Sequence, residues 1–214
     1  MRYKNIFLDL DGTVVKSDPG ITRGLTYMFN HLGIPVPEES ELFKFIGPPV
    51  KYVLKEYGIH GEANDKAYAL YREYYDKKGI YEMELYEGMA ELLEELNKAS
   101  AAVHMATAKR ENQTEIALEH MKVRHYFKHV FCAEADKNIL LKKDILKKAL
   151  DVMGEFPDAP VMIGDRDVDI VGGKENGFDT IGVLFGYGSE KEIKGSRPTH
   201  IAADMANLRE LLLG

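Results

Sequence analysis

A chain of 214 residues, 45% of them hydrophobic, is long and apolar enough to bury a core, which excludes a disordered segment or a disulfide-stapled miniprotein. Its 35 Asp and Glu outnumber 28 Lys and Arg, for a net charge of -7, and such an acidic surface repels nucleic acid and anionic membranes alike. No apolar run approaches the roughly 18 residues of a membrane span, the first residues lack the apolar stretch of a signal peptide, and the single cysteine, Cys132, can close no internal disulfide, so a reduced, cytoplasmic protein is expected.

Tyr3 to Leu10 is an apolar run that stops at Asp11-Gly12-Thr13, the texture of a buried strand ending in a sharp turn. Residues 15 to 83 differ. They hold eight of the twelve tyrosines with nearly balanced charge, and their apolar positions recur at helical spacing: Leu25, Met28, Phe29 and Leu32 on one face, Tyr68, Tyr71 and Tyr75 on another. Pro35, Pro37, Pro48, Pro49, Gly58 and Gly61 break this segment into separate helices, so an all-helical insert over 15 to 83 is predicted. From Tyr86 onward helix and strand patterns alternate: helices near 88 to 99, 111 to 121 and 142 to 153, strands at 102 to 106, 130 to 133, 161 to 163 and 180 to 184, a helix after Asp167, and a last helix capped by Asp204. That alternation predicts an α/β fold, a doubly wound parallel sheet with helices on both faces, built from residues 1 to 14 and 84 to 214.

In such a sheet ligands bind beyond the carboxyl ends of the strands. Those positions hold Asp9 and Asp11, then Thr107, then Asp165, Asp167 and Asp169, and the lysines that open the 142 to 153 helix reach the same edge. Acids converging from separate turns repel one another in a partly dry cleft unless a cation neutralises them, and oxygen-only donors suit Mg2+. A lysine and a threonine beside them complete a set of groups for a phosphoryl group, whose transfer requires mainly positioning and charge neutralisation. One carboxylate can attack phosphorus, and a second can protonate the departing alcohol and later activate water.

A lone Asp after a strand ordinarily forms a turn or caps a helix, and Asp167 is read as such a cap. A calcium loop starting at Asp165 fails, because its sixth position is Ile170 and its twelfth is Asn176. Gly173-Lys174 is followed by Glu175, so there is no nucleotide-binding P-loop, and the seven histidines form no metal motif and are read as surface or capping residues. A phospho-receiver module also combines clustered acids, a Thr and a Lys, but without a helical insert after its first strand.

Taken together, Asp9-Leu10-Asp11-Gly12-Thr13, Ala106-Thr107-Ala108-Lys109, Lys142 and Gly164-Asp165-Arg166-Asp167-Val168-Asp169 resemble, in order, the four motifs of the haloacid dehalogenase superfamily of phosphohydrolases. Phe45-Ile46-Gly47-Pro48-Pro49 and the 182 to 188 stretch look most like its phosphoglycolate phosphatase group. The resemblance implies a Rossmann-like core with the helical insert as cap. It implies Asp9 as nucleophile and Mg2+ ligand, and Asp11 as acid/base with its main-chain carbonyl on the metal. It further implies Thr107 and Lys142 on the phosphoryl group, Asp165 on Mg2+, and Asp169 on it directly or through water. Lys143 is the alternative to Lys142, and Ala108 stands where the family often has a hydrogen-bonding residue. The implied partner is a small phosphorylated metabolite, acted on by a monomer or homodimer, with Arg23, Lys44, Lys51 and Arg72 as candidate recognition cations. A sugar-phosphate mutase, 5'-nucleotidase or pyrophosphatase would share the same motifs.

Overall fold

The computed structural model describes residues 2–137, 139–154, 156 and 158–214. Consecutive apolar residues suit a strand covered on both faces, and Asn5–Leu8 (β1) is one: Ile6, Phe7 and Leu8 are fully buried. The chain then turns through Gly12 into Val15–Lys16 (β2), which pairs antiparallel with Glu84–Leu85 (β3). Between these rungs lie Asp18–Leu32 (α1), Glu39–Leu42 (α2), Val50–Glu56 (α3) and Gly61–Tyr75 (α4). The insert therefore leaves and returns through a short ribbon and is not helical from residue 15 onward. Two rungs are too few to leave an alternating pattern in the sequence.

Within the insert, α1 buries Leu25, Met28 and Phe29 while α4 buries Tyr71 and Tyr75. Gly24 permits their close approach, since a Cβ there would stand 3.0 Å from the Tyr71 ring.

After β3 come Met89–Lys98 (α5), Ala102–Arg110 (β4), Glu111–His120 (α6), His129–Ala133 (β5), Lys142–Met153 (α7) and Val161–Gly164 (β6). Asp167–Glu175 (α8), Asp179–Val183 (β7), Glu190–Ser196 (α9), His200–Ala202 (β8) and Met205–Leu213 (α10) complete the chain. The six-stranded sheet runs β5-β4-β1-β6-β7-β8 with every pairing parallel, the doubly wound α/β arrangement. Leu8 sits opposite Met105 on β4 and Ile163 on β6, so the residues that follow each strand emerge side by side where the strand order reverses.

β4 runs on to Arg110, past the expected end at Ala106, with a break in register between Thr107 and Arg110. Such irregularities bend a strand and re-aim its side chains. The short α9 and the three-residue edge strand β8 add to the elements expected from the sequence, having too few residues for a periodic signal. Asp204 caps α10 as expected, accepting the Asn207 N–H at 2.8 Å. No helix among the described residues is long and apolar enough to cross a membrane.

His104 corrects the reading of the histidines as surface or capping groups. It lies on β4, fully buried, stacked on Phe7 at 4.6 Å, and neither ring nitrogen has a hydrogen-bond partner. Burial, with smaller contributions from His129 and Lys128, pushes its pKa down to about 3 from an ordinary 6.5. Between those values the unfolded chain takes up a proton that the folded chain refuses, so stability falls as pH drops through this window, by about 1.4 kcal/mol per unit at most. His104→Leu is expected to equal or exceed the parent's thermal stability at pH 7 and to gain an increasing advantage toward pH 5. Parallel acid-melting curves for the two proteins would refute this account.

Candidate active site

At the end of β1 the Asp9 N–H still donates to the Ile163 carbonyl at 2.9 Å, which pins this buried aspartate to the sheet edge. Asp165 follows β6. Its Oδ2 accepts the Tyr187 N–H at 2.7 Å and its Oδ1 the Thr13 hydroxyl at 3.4 Å. Asp169 lies in the first turn of α8, where its Oδ2 accepts the Arg166 N–H at 3.1 Å. Asp169 thus closes the helix start, not Asp167 as expected. Arg166 has the extended backbone of the cap position, and Asp167 is already inside the helix and exposed.

Asp9, Asp165 and Asp169 each present a carboxylate oxygen, all within 4.8 Å of one another. Lys142, the first residue of α7, reaches into this cluster. Its Nζ stands 2.7 Å from Asp9 Oδ1 and 2.8 Å from Asp169 Oδ1, and it donates to the Ala106 carbonyl at 2.6 Å. The adjacent Lys143 is half-exposed and faces Glu175 at 3.9 Å.

Three carboxylates face one ammonium. Burial pushes Asp9 up to about 7 against the pull of Lys142, and burial, with Asp169 and Asp9, raises Asp165 well above the ordinary carboxylate range. Burial lowers Lys142, but Asp169 and Asp9 outweigh it and hold the ammonium above the usual lysine range. Excess negative charge on closely spaced hard oxygens fits a divalent cation such as Mg2+. The backbone makes room for this crowding: Gly12 has φ 81°, and a Cβ there would stand 2.2 Å from Asp165 Oδ2. A Cβ on Gly186 would likewise stand 2.3 Å from Asp165 Cβ, so the 182 to 188 stretch needs glycine there to pass the carboxylate.

Asp11 stands apart from the carboxylate cluster. Its Oδ2 is 2.9 Å from Lys109 Nζ, which also donates to the Tyr75 hydroxyl at 2.7 Å, while Oδ1 is buried without a partner. Thr107 is buried, and its Oγ1 accepts the Lys109 N–H at 3.2 Å. The signal for Lys109 in the sequence is its place two residues beyond Thr107 in the same motif-like stretch.

A cleft of about 570 Å³ opens over Asp11 and Lys109, bounded by α3, α4 and the end of β4, and Tyr52, Tyr68, Tyr71 and Tyr75 line it. Of the four cations proposed for recognition, Lys51 lines the cleft. Its ammonium pairs there with Asp65 at 2.5 Å, whereas Arg23, Lys44 and Arg72 lie outside the cleft and pair with Glu82, Glu41 and Asp76.

The family model described as haloacid dehalogenase-like hydrolase matches residues 6–183. The chain belongs to this family. A Pseudomonas aeruginosa protein named 5'-nucleotidase is 36% identical over 213 residues, 99% of this chain and 96% of the relative. The Mycobacterium tuberculosis protein named tyrosine-protein kinase PtkA is 34% identical over 97% of this chain and 72% of its own length. The crystal structure of a predicted phosphatase from Clostridium acetobutylicum superimposes with a TM-score of 0.94 at 33% identity, covering 100% of this chain and 99% of that one. The chain is thus an enzyme, a phosphatase of the haloacid dehalogenase type.

Proposed function

We propose that this phosphatase is a Mg2+-dependent phosphomonoesterase that hydrolyses a small cytoplasmic phosphorylated metabolite through an aspartyl-phosphate on Asp9. The observation that carries the reading is the buried carboxylate cluster of Asp9, Asp165 and Asp169 set against Lys142. Asp9, Asp165, Asp169 and the main-chain carbonyl of Asp11 would hold Mg2+, which when bound neutralises charge on the phosphoryl oxygens. Asp9 attacks phosphorus. Lys142 and Thr107 hold the transferring group, and Asp11 protonates the leaving oxygen, then takes a proton from the water that hydrolyses the intermediate. In this reading residues 15 to 83 form the cap over a core of residues 1 to 14 and 84 to 214.

The cleft favours a second, more specific reading in which the substrate is a nucleoside monophosphate and not phosphoglycolate. A volume of about 570 Å³ walled by tyrosines far exceeds what a two-carbon leaving group fills, and aromatic walls suit a planar ring. Phosphate release should be measured across phosphoglycolate, nucleoside monophosphates, sugar phosphates and pyrophosphate, with Mg2+ and with EDTA. Nucleoside monophosphates are expected to give the highest kcat/KM, falling by about tenfold in Tyr68→Ala. A preference for phosphoglycolate would discard the nucleotide reading, and no Mg2+-dependent release from any of them would discard the phosphomonoesterase. Phosphate exchange without net release would point to a mutase.

A further inference from the structure

We propose that Lys109 is a positioning residue that fixes the Asp11 carboxylate and ties its orientation to the helical insert through Tyr75. The inference rests on the assignment of Asp11 as acid/base. Lys109 lies in the stretch where β4 breaks register beyond Thr107, and its side chain is only 6% exposed. A desolvated ammonium is costly unless its donors are satisfied. It donates one hydrogen bond to the Tyr75 hydroxyl at 2.7 Å, and its charge is paired with Asp11 Oδ2 at 2.9 Å.

The consequence falls on the other oxygen of Asp11. With Oδ2 held by Lys109, Oδ1 is the atom left without a partner, on a residue that lines the cleft. An oxygen that must give up and regain a proton has to be free of other bonds and fixed in direction, and Lys109 provides both conditions. Its own backbone is anchored as well, because its N–H donates to Thr107 Oγ1 at 3.2 Å. Lys109 therefore joins two of the site's residues without entering the carboxylate cluster, where Lys142 is the cation.

Tyr75 extends this chain into the insert. Its ring stacks on Tyr71 at 5.3 Å and 15°, both on α4, so the hydroxyl that accepts from Lys109 is placed by the packing of that helix. Beside it, Gln113 on α6 donates to Asp76 Oδ1, just past the end of α4, at 2.8 Å. A shift of α4 away from the sheet breaks the Tyr75 contact and leaves Lys109 to Asp11 alone. The orientation of the acid/base thus depends on the seating of the helix that walls the substrate cleft.

A double-mutant cycle tests this with p-nitrophenyl phosphate and Mg2+. Lys109→Met is expected to lower kcat by about 10- to 100-fold with KM changed less than about threefold. In an Asp11→Asn background the same substitution is expected to cost less than about threefold, because a residue acting through Asp11 has nothing left to position. Tyr75→Phe keeps the ring and the ammonium and removes only the acceptor; it is expected to lower kcat by about 3- to 10-fold, again only when Asp11 is present. Thermal unfolding of each variant identifies loss of fold, and Tyr75→Phe carries the test if Lys109→Met does not fold. A raised KM at unchanged kcat would make Lys109 a substrate contact and overturn the proposal. Full multiplication of the Lys109 and Asp11 effects would overturn it while leaving Asp11 as acid/base. Wild-type turnover in Asp11→Asn alone would overturn the Asp11 assignment together with this one.

Discussion

Asp9→Asn is expected to release phosphate on the order of 10⁴-fold more slowly than the parent, or slower still, while keeping its fold. The amide is isosteric with the carboxylate but is a poor nucleophile, and the other two carboxylates of the cluster are already engaged. Asp165 is held at both oxygens by Tyr187 and Thr13, and Asp169 is held by Arg166 and Lys142. The fold should survive for an electrostatic reason. Burial pushes the Asp9 carboxyl up to about 7, so in the dry site its charge is a burden that the amide removes, and Lys142 retains Asp169 as partner. Melting in EDTA should therefore show Asp9→Asn as stable as the parent or more so. Acid-quenched protein exposed to labelled substrate should carry no acyl phosphate. Asp11→Asn should instead accumulate it, since in that variant Asp9 still attacks while the water that clears the intermediate has lost its base. Retained turnover in Asp9→Asn, or label elsewhere in the chain, would remove Asp9 from the role of nucleophile.

The parts of this site that were legible in the sequence are those in which one local signal sits beside another. Asp9 directly follows an apolar run that can only be a strand buried on both faces, and Asp165 follows a second such run. Parallel strands in a doubly wound sheet bring those ends together whatever the length of chain between them. What stayed hidden depends on geometry that no local pattern encodes. Lys109 ends a recognisable motif, but only the folded chain shows its ammonium against Asp11 and Tyr75. Asp167 reads as the cap because it comes first, and the backbone of Arg166 hands that role to Asp169. His104 occupies an interior position of a central strand, where nothing in the flanking residues reveals that both ring nitrogens lack partners. Short elements such as β2, β3 and β8 are stabilised by neighbouring strands and not by their own composition, so their two or three residues give no periodicity to read.

Lys142→Met is expected to have the second large effect, in both stability and rate. The ammonium is buried against Asp9 and Asp169, and removing it leaves those carboxylates with no ion-pair partner among the described residues. Breaking a buried pair from one side costs about 3–5 kcal/mol. The loss should depend on the cation: largest in EDTA and partly recovered when Mg2+ is added, because a dication at Asp9, Asp165 and Asp169 relieves the same repulsion that the lysine did. Thermal melts with and without Mg2+ measure this without reference to turnover, and a melting temperature indifferent to Mg2+ would argue against a cation among those three acids. In the presence of Mg2+, kcat should fall by about 10²- to 10³-fold, the cost of removing one preorganised positive group from a developing phosphoryl charge. Lys143→Met supplies the comparison within the same helix turn. Its side chain is half-exposed and only loosely paired with Glu175, so both its melting temperature and its kcat should stay close to those of the parent. The opposite ranking would move the phosphate-binding role by one residue, and with it the register in which α7 delivers a charge to the sheet edge.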